Sequence, residues 1–237
     1  MNKLVLVLLG GVIVISSGFI NFSKPSAGFA SYCQLVKADD VAKGLIEALQ
    51  IGAKKSTEKA SVVDGFYKNV DIFIPFPEDA IKVKKTLEKA GLKKQVSEFE
   101  LSLNRAAEEA SKNALPIMVD AIKGITFTDA MSILGGSKNA ATLYLKEKTT
   151  SKLQVTFKPI VKEAISKVKV TKYWENVANA YNKLNMLSGG KKVNPDLESY
   201  ITDKAIEGLF KLIAKEEEQI RDNPAARTTD LLKKIFK

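Results

Sequence analysis

A helical spacing of apolar residues runs through almost the whole chain from Ala38 onward, and it constrains the fold more than any other feature of the sequence. The first predicted helix illustrates it, because Val41, Leu45, Leu49 and Ala53 recur every four residues. This spacing places the apolar side chains on one face of an α-helix, which must be buried against another element. Since nearly all the predicted elements are helices, the core must form by the packing of helix on helix.

The sequence therefore predicts an all-α protein, a multi-helix bundle of roughly eight to nine helices with one short extended Pro-containing segment. The extended segment is 71–77, which two prolines stiffen. The longest predicted helix is 94–122, and Pro116 is expected to kink it or divide it in two. Two separate helices are expected over 139–148 and 151–168.

The N-terminus, residues 1–30, has the three-part layout of a secretory signal peptide. Lys3 provides the basic start, an apolar stretch follows over 4–20, and Gly28 and Ala30 are the small residues before the expected cleavage site. The alternative is an uncleaved anchor formed by residues 4–20, a stretch just short of the ~20 residues that span a bilayer. Cleavage is the favoured interpretation.

The remainder, residues 31–237, is expected to be a single helical domain, with 188–195 as the best candidate for a hinge. It is expected to be exported to the periplasm or, in the alternative, to be tethered to the inner membrane by residues 4–20. Cys33 follows the expected cleavage site, but the residues before it do not form a lipoprotein motif, so lipidation is not expected.

Histidine is absent, and Cys33 is the one cysteine in the chain. This composition excludes Ser-His-Asp and Cys-His catalysis as well as His-ligated zinc, copper or haem. A single cysteine also excludes an internal disulfide and a cysteine cluster for zinc or iron–sulfur. No cofactor and no metal site is therefore predicted.

The chain is basic, with 37 Lys+Arg against 27 Asp+Glu and a formal net charge of +10. Such a surplus is compatible with an affinity for anionic surfaces such as phospholipid head groups. The lysines are interspersed with acids, however, so a solubilising role for the surface charge is favoured. Because no clustered basic face is evident, no nucleic-acid partner is expected.

Several stretches of the chain together resemble a bacterial family of exported proteins known as domain-of-unknown-function family 4197. The similarity extends from about Ala38 to the C-terminus, and it rests on Asp64-Gly65-Phe66, Ile74-Pro75-Phe76-Pro77, Asn104-Arg105-Ala106-Ala107-Glu108, Thr126-Phe127-Thr128-Asp129-Ala130, Ala140-Ala141-Thr142, Phe157-Lys158-Pro159-Ile160-Val161, Ala205-Ile206-Glu207-Gly208-Leu209-Phe210 and Asn223-Pro224-Ala225-Ala226-Arg227-Thr228-Thr229-Asp230-Leu231-Leu232. The resemblance implies a location in the envelope of Gram-negative-type bacteria. It implies no activity.

Asn104, Arg105 and Glu108 form the first group of candidate site residues. They lie within about one helical turn, so their side chains can converge on one patch. One interpretation is a cleft-lining site that grips an anionic or amide-bearing ligand. The favoured one is that they clamp a neighbouring helix or loop, with Ala106 and Ala107 allowing close approach.

Glu217 and Arg221 are a second candidate pair, in the favourable i,i+4 order. Carboxylates here are compatible with Ca²⁺ or Mg²⁺, but the calcium-loop pattern is missing and an exposed ion-pair ladder is favoured.

Arg227, Thr228, Thr229 and Asp230 form the third group. They are expected early in a final helix that Pro224 begins, close to backbone amides that can hold an anion. An equally weighted alternative is that Thr229 or Asp230 caps the helix while Arg227 pairs with a neighbouring acid.

The leading functional hypothesis is a non-catalytic periplasmic protein that binds a lipid, an amphiphile or an envelope protein partner. Its basis is the missing catalytic motifs together with an apolar helical interior and a positive surplus. The alternative is a carboxylate-based hydrolase, for example one acting on glycans, that uses acids such as Glu108, Glu217 or Asp230. Glycoside cleavage requires two carboxyl groups at a defined separation, which the absence of histidine does not exclude.

Overall fold

The computed structural model describes residues 38–167, 174–188, 192–227 and 229–235. The predicted signal peptide, residues 1–30, and Cys33 lie outside these residues. The α-helices within them are α1 (Ala38–Ser61), α2 (Ile81–Lys89), α3 (Lys93–Ser111), α4 (Ala114–Lys123), α5 (Phe127–Leu134), α6 (Ala140–Ser166), α7 (Trp174–Ser188), α8 (Leu197–Asp222) and α9 (Asp230–Ile235). Two 3₁₀ turns, Glu78–Ala80 and Pro224–Ala226, precede α2 and follow α8. The prediction of an all-α bundle is confirmed, and the described residues contain no strand.

The core is formed by helices packing on one another. Helices α6 and α8 pack together and both contact α3, while α1 covers α4 and α8. Phe76, from the predicted extended segment, lies in this core with ring-centroid distances of 4.8 Å to Phe99 and 5.5 Å to Trp174. The segment is indeed non-helical before Pro77, and its aromatic side chain fixes it to the bundle.

The predicted helix 94–122 is divided into α3 and α4, as the proline led us to expect, but the break falls at Lys112 and Asn113. Pro116 is the third residue of α4. It is tolerated there because the N–H groups of a first helical turn have no partner within the helix.

The prediction of two helices over 139–148 and 151–168 is wrong, because α6 is one continuous helix of 27 residues with Pro159 inside it. The hydroxyls of Thr149 and Thr150 donate to the carbonyls four residues earlier, at 2.7 Å and 2.6 Å. These bonds satisfy the threonine side chains within the helix, so the threonine pair does not interrupt it.

The chain ends in two pieces where one helix was predicted. Pro224 begins a short 3₁₀ turn, and α9 begins only at Asp230. A capping box begins α5, since Thr126 and Asp129 each accept a hydrogen bond from the other's backbone N–H.

The candidate hinge at 188–195 includes residues 189–191, which lie outside the described part of the chain. Beyond them, Val193 is buried, and Asn182 of α7 bonds its backbone N–H and carbonyl at 2.7 Å each. No helix of the described residues is long and apolar enough to cross a membrane.

Candidate functional sites

The connection between α1 and the first 3₁₀ turn, residues 62–77, is called here the α1–α2 loop. It starts with a sharp reversal in which Asp64 has a φ of 69°. At Gly65 an added Cβ would lie 2.4 Å from the carbonyl oxygen of Lys59 and 2.7 Å from that of Ala60. Only glycine fits so close to the end of α1, which explains why Asp64-Gly65 interrupts the helical pattern.

Glu108 of α3 lies beneath this loop and is only 4% exposed. Its Oε1 accepts hydrogen bonds from the backbone N–H groups of Phe66 at 3.1 Å and Tyr67 at 3.2 Å. Its Oε2 accepts a third from Nη1 of Arg105 at 2.6 Å. A buried carboxylate is costly unless it is paired and hydrogen-bonded, and these donors provide both forms of compensation.

Arg105 links Glu108 to the loop a second time, through Asp64. Its Nη2 donates to Oδ1 of Asp64 at 2.6 Å, and Nζ of Lys68 lies 2.7 Å from the other oxygen. Hydrogen bonds from Lys68 and Arg105 hold the pKa of Asp64 below its ordinary value. The hydrogen bonds to Glu108 and then Asp64 raise the pKa of Arg105. Both groups are therefore charged throughout the neutral range.

Asn104, fully buried, holds the loop further along. Its Oδ1 accepts from the N–H of Ile74 at 2.8 Å, and its Nδ2 donates to the carbonyl of Ile74 at 2.9 Å. One turn earlier, Glu100 accepts from the N–H of Phe76 at 3.2 Å and from Lys84 at 2.7 Å. The structure thus brings the first predicted group together, and its contacts match the favoured clamp.

Glu100 was missed by the sequence analysis, although a signal for it exists. Glu100, Asn104 and Glu108 are spaced four residues apart on one face of α3, otherwise rich in buried alanine. A polar stripe on an apolar helix face indicates backbone groups to be satisfied opposite it.

Glu217 is a residue of α8 whose carboxylate lies at the N-terminus of α6, and it is 8% exposed. It accepts from the N–H groups of Ala141 at 3.0 Å and Thr142 at 2.8 Å, and from the Thr142 hydroxyl at 2.8 Å. It therefore caps the N-terminus of α6, where a negative charge is favourable. The predicted pairing with Arg221 is present, with Nη2 of Arg221 2.9 Å from Oε1 of Glu217, but it is buried rather than part of an exposed ladder.

Arg221 and Arg227 satisfy carbonyl groups at helix ends. Arg221 donates to the carbonyl of Ile133 at 2.9 Å, at the C-terminus of α5. Arg227 donates to the carbonyls of Ile220 at 3.0 Å and Arg221 at 2.8 Å, at the C-terminus of α8. A guanidinium group suits this role because it presents several donors in a fixed plane.

The rest of the third group is only partly assembled around Arg227. Thr229 accepts from the N–H of Leu232 at 3.2 Å, as the capping alternative describes. Asp230 is fully exposed and lies 3.4 Å from Lys233. Thr228 lies outside the described residues.

Of the candidate carboxylates, only Glu217 lines either of two cavities formed by the described residues. A cavity of about 20 Å³, enough for about one water, lies between α1, α6 and α8 beside Glu217. An open groove of about 590 Å³ lies between α6 and α8, where Lys158 pairs with Asp196 and the buried hydroxyl of Thr202 has no partner. Glu108 and Asp230 line neither.

No group of three or more acidic or cysteine side chains within the described residues is placed to hold a metal ion. The buried charged side chains of α3 and α8 form hydrogen bonds with backbone groups at helix ends and in the α1–α2 loop.

A protein-family model described as "Protein of unknown function (DUF4197)" matches residues 35–237. Neither the curated proteins nor the solved structures give a match to the chain.

Proposed function

Since the chain belongs to the DUF4197 family, whose description assigns no activity, we propose its function from its own chemistry: it is a non-catalytic, exported protein of the bacterial envelope that binds anionic lipid. The signal-peptide pattern of residues 1–30 supports the proposed export.

The observation that carries this proposal is that the hydrogen-bonding capacity of the buried carboxylates is used within the protein itself. Glu108 accepts three hydrogen bonds from protein donors, and Glu217 accepts bonds from two backbone N–H groups, a hydroxyl and Arg221. A catalytic acid needs a free oxygen that faces substrate. A glycosidase further needs two carboxyl groups about 5–10 Å apart across one cleft. Glu108 and Glu217 instead belong to separate networks, which favours the non-catalytic interpretation over the hydrolase alternative.

The net charge favours an anionic ligand. Without Lys3 and Lys24 of the predicted signal peptide, residues 31–237 have 35 Lys+Arg against 27 Asp+Glu, a formal net charge of +8, which favours a basic surface. Anionic head groups attract such a surface by about 1 kcal/mol per lysine or arginine near it, and salt screens this attraction.

The test is native mass spectrometry of the protein purified gently from the envelope of its own host, together with co-sedimentation with phosphatidylglycerol-containing vesicles. We expect a reproducible mass excess that corresponds to a phospholipid, and sedimentation that weakens as salt is raised. Pure phosphatidylcholine vesicles are the control. A bare protein mass combined with no sedimentation would overturn the proposal.

A further inference from the structure

The α1–α2 loop exposes three valines close together in sequence. Val62 is 55% exposed, Val63 76% and Val70 94%. A single exposed apolar side chain requires no explanation, but several in one loop indicate a surface that contacts an apolar phase or a partner. The segment from Val62 to Val70 is called here the valine loop.

The valine loop is held firmly from beneath. Phe66 is fully buried and lies so close to Gly208 of α8 that an added Cβ there would be 2.8 Å from its ring. The N–H groups of Phe66 and Tyr67 bond to Glu108. The exposure of the valines is therefore a property of an ordered loop, built around one inward-facing phenylalanine.

Lysines are present in the valine loop and in the helices next to it. Five belong to the loop or to the adjoining parts of α1 and α8, namely Lys55, Lys59, Lys68, Lys211 and Lys215. With Arg105 they face four carboxylates, Asp64, Asp71, Glu108 and Glu216, which leaves an excess of two positive charges. The adjacent Lys54–Glu58 pair is neutral overall.

The excess positive charge lies where two lysines share a single carboxylate. Lys55 and Lys59 both pair with Glu216, at 3.8 Å and 3.3 Å, and they keep 47% and 63% of their side chains exposed. Lys211 donates a hydrogen bond to the backbone carbonyl of Asp71, whose carboxylate pairs with Lys215. These ammonium groups can still donate hydrogen bonds to a phosphate oxygen.

We propose that the valine loop is the membrane-docking surface of this protein. The valines enter the boundary between head groups and acyl chains of an anionic bilayer, and the lysines around them contact the lipid phosphates. Apolar area and electrostatic attraction together determine the strength of such interfacial binding. This inference rests on the proposed function and gives it a location.

A fluorescence experiment tests the location directly. Val63→Trp places a reporter in the loop, and Val155→Trp is the matched control, because Val155 of α6 is 77% exposed but lies outside the loop. The native Trp174 is 5% exposed, so the unsubstituted protein supplies its background. The protein is used as it accumulates in the envelope, with phosphatidylglycerol vesicles that contain brominated acyl chains.

We expect the brominated lipid to quench Val63→Trp strongly and Val155→Trp little. Val70→Trp is a second reporter in case the first variant folds poorly. Because quenching is local, the result does not depend on whether residues 4–20 are retained.

Two further variants test the lysines. Lys59→Gln is expected to lower vesicle binding about fivefold at low salt. Lys167→Gln, at a lysine 69% exposed directly after α6, is expected to leave vesicle binding unchanged.

The outcomes separate the two proposals. If the protein sediments with anionic vesicles but the two valine reporters of the loop are quenched no more than Val155→Trp, the valine loop is not the docking surface and lipid binding stands. If the protein neither sediments nor shows quenching, both proposals are wrong.

Discussion

The side chain of Asn104 forms a two-way pair with the backbone of Ile74, accepting from its N–H at 2.8 Å and donating to its carbonyl at 2.9 Å. This reproduces with a side chain the exchange of hydrogen bonds between two strands. Both residues are buried, so no water can replace either bond. The pair therefore contributes to holding the extended part of the α1–α2 loop on α3, together with the bond from Phe76 to Glu100.

Asn104→Leu keeps the volume of the side chain and removes both bonds. We expect the free energy of unfolding to fall by about 2–4 kcal/mol, because the N–H and carbonyl of Ile74 are then buried without partners. Urea denaturation followed by circular dichroism measures this. Asn113→Leu is the control, since Asn113 is exposed and makes no side-chain capping bond, and about 0.5 kcal/mol or less is expected there. Equal effects at both positions would contradict the role of Asn104.

Glu217→Gln tests whether Glu217 is structural. We expect a loss of about 3 kcal/mol in the free energy of unfolding, because Arg221 loses its carboxylate while remaining largely buried. The adjacent Glu218 is exposed, so Glu218→Gln is the matched control and should change little. Thermal and urea denaturation of the two variants give the comparison. A ligand-binding or catalytic carboxylate behaves in the opposite way, since neutralising it commonly raises stability.

The helix faces and local caps of this fold could be predicted from the sequence because they depend on near neighbours. The capping box of Thr126 and Asp129 involves residues three apart. Asn104, Arg105 and Glu108 could likewise be placed together on one turn. Their partners could not be predicted, because Ile74 is 30 residues away and Phe66 is 42 residues away, and spacing along one helix contains no information on what packs opposite it.

The C-terminal region shows the same limit. Arg227 follows a clear helix-start signal at Pro224, so an anion site at a helix N-terminus was a reasonable hypothesis. In the structure its guanidinium turns back to the carbonyls of Ile220 and Arg221. That direction depends on how the chain leaves α8, which is a matter of tertiary packing.

Acid should destabilise the protein only below about pH 4. The sequence has no histidine, the side chain that ordinarily titrates between pH 5 and 7. Hydrogen bonds lower the pKa of Asp64, through Lys68 and Arg105, and of Asp71, through Lys215, from the ordinary value of 3.8. A group whose folded-state pKa is depressed stabilises the protein above its unfolded-state pKa, and this stability is lost as the pH falls through the folded-state value.

Urea midpoints at pH 7, 5.5, 4 and 3 measure the effect, with a flat profile expected down to pH 4. Asp64→Asn should flatten the decline between pH 4 and 3, and asparagine suits this test because it tolerates the left-handed backbone of residue 64. A marked loss of stability between pH 7 and 5 would contradict the prediction.

Two glycines within helices should respond to alanine with opposite signs. Alanine is the better helix residue by about 1 kcal/mol, so Gly52→Ala in α1, where the added Cβ would lie 3.8 Å from Cβ of Glu216, should raise the free energy of unfolding by about 0.5–1 kcal/mol. Gly208→Ala in α8 should lower it by about 1–3 kcal/mol, because the added Cβ would lie 2.8 Å from the ring of Phe66 and 3.1 Å from Cβ of Ile72.

Phe66 has little freedom to move away, since it is fully buried and its N–H bonds to Glu108. Urea denaturation of both glycine variants at neutral pH provides the test, and the unsubstituted protein is the reference for each. A gain at residue 208 as large as that at residue 52 would mean that the loop can lift from α8. The valines it carries would then no longer be fixed in place, and the ordered docking surface would lose its physical basis.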